Sequence, residues 1–167
     1  MRIDETVVDD TLRRAKVICI SFAASAGLYA LLIYLLVEHP GEGSWSEAPG
    51  TVPFVLALGA MMLLFVSGAA RSRVLRKAAE VDEDGTIRVL PAAELAAVFF
   101  RATLICFALA EGAAVLGLAS ALLGKSSFYG LVICAASLYV MIARWPRRSS
   151  FEAFLDGDRR EETYDGR

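Results

Sequence analysis

Glu111 is the first residue to weigh for chemistry, because of what surrounds it. It sits in VFFRATLICFALAEGAAVLGLASALL, an apolar stretch long enough to cross a bilayer, in which it is the lone acid. Ten residues separate it from Arg101 and twelve from Leu123, about 15 Å and about 18 Å of helix, so it falls near the middle of the hydrocarbon. An ionised side chain at that depth costs about 2.5 to 3.5 kcal/mol on insertion scales. A carboxyl there is neutral against lipid and ionises beside water, a cation or a hydrogen-bond donor. One that alternates between the two forms can carry a proton or a sodium ion. One that stays put can bond a neighbouring helix, which is worth about 0.6 to 2 kcal/mol. Depth counted from Lys16 and Arg144 puts Ser25 and Cys134 level with it, about 14 to 15 Å in, and of these Ser25 is the better donor. The expected site is therefore Glu111 with Ser25.

Other reactive residue types are less promising. Cys19, Cys106 and Cys134 all lie within apolar runs, without metal-ligand spacing, and read as small hydrophobes. His39 stands with Glu38, Glu42 and Glu47 in a Gly- and Pro-rich connection, the composition of a solvated loop rather than a metal site. Asp82, Asp84 and Gly85 miss the calcium-loop pattern because the glycine comes too early. With no nucleophile triad and no phosphate loop, the chain reads as a non-enzyme that needs no cofactor and no metal.

The elements that hold Glu111 follow from composition. Of 167 residues, 56% are hydrophobic, and mean hydropathy is +0.52. The apolar residues are bunched into four runs, about 17–37, 52–70, 98–123 and 128–145, and the shortest reaches about 27 Å as a helix. Helices are the only open-ended spans that satisfy their own backbone in lipid. The fold expected is all-α, four transmembrane helices in two antiparallel hairpins. The first run is too long for a secretory signal and no small-x-small site follows it, so it is expected to remain in the mature protein. Pro53 falls at a tolerated first-turn position.

Charge sets the sidedness. Of the 17 Lys and Arg, all but Lys125 lie before run one, between runs two and three or at the mouth of run three (Arg101), or from Arg144 at the end of run four onward. The positive-inside bias then makes residues 1–16, the loop 71–97 and the tail 146–167 cytoplasmic, an N-in, C-in protein of the plasma (inner) membrane. Arg101, Arg144, Trp145, Arg147 and Arg148 are the expected interface anchors. The basic clusters suit anionic lipid, and no nucleic acid is expected as a partner. The loop 71–97 opens with a continuation of helix two, RSRVLRKAAE, and VDEDGTIRVL has the Asp84-Gly85 turn of a small hairpin. In the tail, Ser149 and Glu152 have capping-box spacing, and Phe151, Phe154 and Leu155 share one side of a short helix ended by Gly157, suited to lying on the bilayer surface.

Helix three is rich in small residues. Ala113, Gly117 and Ala121 recur every four residues, as do Ala23 and Gly27 on helix one, and such rows let helices approach closely within a chain or between copies of a homo-oligomer or larger membrane complex. Aligning Arg14 with Arg101 matches nine of 23 positions, Cys19 with Cys106 among them, which raises a duplicated helical hairpin.

The stretch PAAELAAVFFRATLICFALAEGAAVLGLASALL resembles the carboxylate helix of rotary ATPase c-subunit proteolipids. The likeness lies in Arg101 and Thr103 at its start, Ala108, Leu109 and Ala110 before Glu111, and Gly117, Leu118, Ala121, Leu122 and Leu123 after it. It implies that Glu111 binds the transported proton or sodium ion. Helix two, with only Gly59 and Gly68, departs from the dense glycine stripe of that family's inner helix. The whole layout is similar to small, uncharacterised bacterial four-helix membrane proteins with an acid in helix three and a basic-proline exit from helix four, here ARWPRR. The expected role is that of a structural or partner-binding membrane component with a buried interhelical carboxyl. The alternative is a proteolipid-like ion handler using Glu111.

Overall fold

A computed structural model describes residues 5–38, 50–78 and 92–154. The chain is all helical over these residues. Helix α1 runs Glu5–Ile33 and passes into a wider π-helical turn at Tyr34–Glu38; α2 is Thr51–Ala78, α3 Ala92–Gly124 and α4 Ser127–Ala143. A short α5, Arg148–Phe154, leaves α4 at 65°. Three helices are individually long and apolar enough to cross a membrane, and α4 with α5 makes a fourth candidate if the bent pair is counted as one span. The protein is a small multi-pass membrane protein.

Local chemistry explains the helix ends. The Gly50 carbonyl accepts the first bond of α2 from the Phe54 N–H at 3.2 Å. The absent N–H of Pro53 therefore belongs to the first turn, where amides have no intrahelical acceptor anyway. α3 closes with Lys125 in the left-handed region, φ 49°, and the Ser126 N–H returns to the Ala121 carbonyl at 3.3 Å. That is the six-to-one bond of a Schellman cap, with lysine where glycine is usual. α4 stops because Trp145 precedes Pro146, and a residue before proline is pushed out of the helical region. Helices α1, α2 and α3 all extend beyond the apolar runs that mark them, since helix once begun continues into polar sequence at one new bond per residue.

α3 is the centre of the bundle. It packs against α1, α2 and α4, and α1 also packs against α4. Contacts increase together along α1 and α3, with Phe22 against Phe107 at 6.3 Å between ring centroids and Tyr29 against Glu111 beyond them. These two helices are parallel. α2 and α4 each run opposite to α3. The Ser120 hydroxyl near the end of α3 donates to the Pro53 carbonyl at the start of α2, and Cys134 of α4 meets the Ala114 carbonyl. The loop of two residues makes α3 and α4 the antiparallel hairpin expected. The first hairpin is not closely packed: among the described residues α1 and α2 scarcely meet, and α3 packs against both. The connection from residue 38 to 51 is long enough to let them part, so adjacency in sequence does not decide contact.

The outward faces are apolar. Phe65 is 83% exposed, Tyr139 73% and Met62 64% in the isolated chain, and lipid is the solvent that such faces fit. Inside, Cys19, Ala26, Ile33, Phe107, Ala110, Ala114, Ala121, Cys134 and Met141 form the main cluster. Lipid is as apolar as these side chains, so their contribution comes from close packing rather than from escape from water. α4 comes close to α3 at Gly130. A Cβ added to Gly130 would stand 2.6 Å from the Ala121 Cβ and 2.9 Å from the Gly117 carbonyl oxygen. A second cluster, Leu12, Leu95, Ala96, Phe99 and Phe151, closes the end of the bundle where α1 and α3 begin. The tail helix α5 therefore docks its apolar side on the first turns of α3 and on α1. Its first turn is fixed by Arg148, which donates to Glu152 at 2.9 Å and lies 3.9 Å from Asp9 of α1, in place of the Ser149–Glu152 box. Leu155 and Gly157, the possible hairpin around Asp84 and the loop holding His39 lie outside the described residues.

Candidate functional site

Glu111 lies midway along α3 and is partly buried. Its partner is Tyr29 of α1, whose hydroxyl donates to the Glu111 Oε1 at 3.5 Å. This is a long bond, beyond the roughly 2.7 to 2.8 Å usual between two oxygens. The neighbours of the carboxyl are otherwise small. Ala110, Ala113 and Ala114 are fully buried, and Gly112 faces Leu63 of α2.

Ser25 is not the donor that its depth predicts. Its hydroxyl turns back to the Ser21 carbonyl at 3.0 Å, within its own helix. Tyr29 starts one turn further along α1, yet helical side chains lean toward the N-terminus and cover the preceding turn. The phenol is long enough to bring its oxygen back to the level of Glu111, which counting Cα positions alone misses.

Four further hydroxyls follow Ser25. Ser21 bonds the Val17 carbonyl at 3.2 Å and Ser67 the Leu64 carbonyl at 2.7 Å. Thr103 bonds Phe99 and Ser137 bonds Ile133, both at 2.9 Å. Such back-bonding satisfies a hydroxyl without a partner helix. Ser120 differs, crossing to α2 to donate to Pro53 at 2.8 Å, about two and a half turns from Glu111 toward the C-terminal end of α3. Among the described residues, hydroxyl side chains thus do not line up into a polar track leading to the carboxyl.

The small-residue rows divide by neighbour. Gly117 and Ala121 face Gly130 of α4, and Ala113 packs with Ala60 of α2 and Ile133 of α4. Ala23 touches the main cluster as a half-buried residue. Gly27 has nothing within 4 Å of a would-be Cβ, so it makes no close helix contact in this chain. The glycine that does is Gly130 of α4. Gly130, Cys134, Ser137 and Met141 are all buried along one side of α4, and the small residues at the first three of those positions were a legible row.

The expected interface anchors also separate. Arg101 and Arg147 are exposed, whereas Arg148 is engaged with Glu152 and Asp9. Trp145 is half-buried, its ring 6.4 Å from that of Phe107. Three or more His, Cys, Asp or Glu able to share a metal ion are not brought together among the described residues. No family model, no curated protein and no solved structure matches this chain.

Proposed function

We propose that this protein is a structural or partner-binding component of the plasma membrane, with both termini and the loop between α2 and α3 in the cytoplasm, in which Glu111 fastens α3 to α1. The observation that carries the reading is the bond from the Tyr29 hydroxyl of α1 to the Glu111 carboxylate of α3, set among serine and threonine hydroxyls most of which bond carbonyls of their own helices. A carboxyl that moves an ion needs polar groups or water on both sides of it. A carboxyl that joins two helices needs one donor. The segregation of all but one basic residue supports the orientation, and the apolar outer faces suit lipid or the helices of a second copy or a larger complex.

A second reading has its own support. The Tyr29 bond is long and Glu111 is partly exposed, which leaves a carboxylate oxygen open to a proton or sodium ion, the role implied by the likeness of α3 to c-subunit proteolipids. Proteoliposomes decide between the two. Under an imposed proton or sodium gradient the first reading predicts flux no greater than in empty vesicles, and an unchanged fold in Glu111→Gln. Flux above background that Glu111→Gln abolishes overturns it in favour of the ion handler.

A further inference from the structure

Where α2 ends and α3 begins, two guanidinium groups from different helices approach one another with no acid paired to either among the described residues. Arg71 lies twenty residues beyond Thr51 on α2. That is about 30 Å of helix, the thickness of a hydrocarbon core, so its charge falls at the headgroup level. The side chain reaches over the Phe99 ring of α3, with Cζ 5.5 Å from the ring centroid. Its Nε is buried and has no hydrogen-bond partner. Gly68, one turn before it on the same face of α2, leaves room for Arg144, whose Nη2 lies 3.8 Å from where a Cβ would stand. The two cations repel each other, and both act electrostatically on the Cys106 thiol of α3. Among the described residues the ion pairs join Arg14 to Asp10 and Arg148 to Asp9 and Glu152, and none includes Arg71 or Arg144.

A buried donor left unmet and two like charges held together both weigh against the fold. A single anion with several oxygens relieves both at once. Guanidinium forks match phosphate oxygens in pairs, and the Phe99 ring keeps the Arg71 fork in place. We propose that Arg71 and Arg144 clamp one phosphate group at the headgroup level, between the ends of α2 and α4. The phosphodiester of an anionic phospholipid and free phosphate present the same oxygens.

The test uses the full chain in a neutral maltoside detergent, titrated with phosphatidylglycerol, phosphatidylcholine or inorganic phosphate. Bound adducts are counted by native mass spectrometry, and melting is followed by circular dichroism. One saturable phosphatidylglycerol is expected, held more tightly than phosphatidylcholine and raising the melting temperature. Arg71→Gln and Arg144→Gln each weaken it about tenfold or more, the loss of a charge-assisted bond. Arg73→Gln, exposed on the same helix, changes it less than about twofold. Inorganic phosphate bound as tightly, with the same dependence on both arginines, supports the clamp and assigns the source to free phosphate. Affinity unchanged in both clamp variants overturns the proposal, as does an equal loss in Arg73→Gln, which marks diffuse surface charge. In lipid-free detergent Arg144→Gln melts at or above the wild type, because repulsion has been removed. Melting well below it shows an arginine needed for packing and overturns the clamp.

Discussion

Gly130→Ala tests how closely α4 approaches α3. The added Cβ would stand 2.6 Å from the Ala121 Cβ, 2.9 Å from the Gly117 carbonyl oxygen and 2.9 Å from the Ile33 Cδ1. Carbon atoms in contact prefer about 3.5 to 4.0 Å, so the overlap with Ala121 is about 1 Å. Ile33 can swing its terminal methyl aside. The other two obstacles are fixed to the α3 backbone, so α4 itself must move. Overpacking costs about 1 to 3 kcal/mol, with the upper end appropriate to obstacles that cannot rotate. The better helix propensity of alanine returns up to about 1 kcal/mol, leaving a net loss of about 1 to 2 kcal/mol. Unfolding followed by circular dichroism in mixed micelles of rising dodecyl sulfate fraction measures it. Gly27→Ala, which meets nothing within 4 Å, is the control and is expected to be neutral or slightly stabilising. Adding Ala121→Gly to Gly130→Ala removes the nearest obstacle and restores part of the loss. Gly130→Ala as stable as the Gly27 control, or no recovery in the double variant, refutes the close approach.

Further outcomes follow from other contacts. Lys125→Gly relieves a left-handed residue with φ 49° and is expected to raise stability by about 0.5 to 1 kcal/mol in the same assay, while the β-branched Lys125→Val lowers it. Ser120→Ala removes the bond from α3 to the Pro53 carbonyl, and thermal unfolding should show a loss of about 0.6 to 1.7 kcal/mol. Phe151→Ala empties the place that α5 occupies against Phe99, 5.3 Å away between ring centroids. Its cost of about 3 kcal/mol falls mainly on the tail, so trypsin should cut after Arg147 and Arg148 sooner while the melting of the bundle moves little.

The spans were legible because lipid asks only one thing of a crossing segment, and Val17 to Val37 or Val52 to Ala70 answer it by composition. Contacts are set by shape, which composition does not report. Gly27 and Gly130 are the same residue type in similar surroundings, yet only Gly130 faces another helix at close range. Ser25 has the right depth for Glu111 and turns away, while Tyr29 has the wrong depth and the right length. Phe151 needed a partner for its apolar side, and the first turns of α3 supplied it where a bilayer surface was equally compatible with the sequence. The likeness between the runs around Cys19 and Cys106 fits two parallel helices. It does not extend to the packing of the pairs, since α3 and α4 form a closely packed hairpin and α1 and α2 do not.

The bond between Tyr29 and Glu111 is the centre of the proposed role, and a double-mutant cycle measures it most directly. Tyr29→Phe, Glu111→Leu and the double variant are unfolded in the same mixed micelles. If the carboxyl fastens α3 to α1, the two single losses are not additive, and the coupling is favourable by about 0.6 kcal/mol, the average for such bonds in membranes. Strictly additive losses, with Tyr29→Phe as stable as the wild type, contradict it.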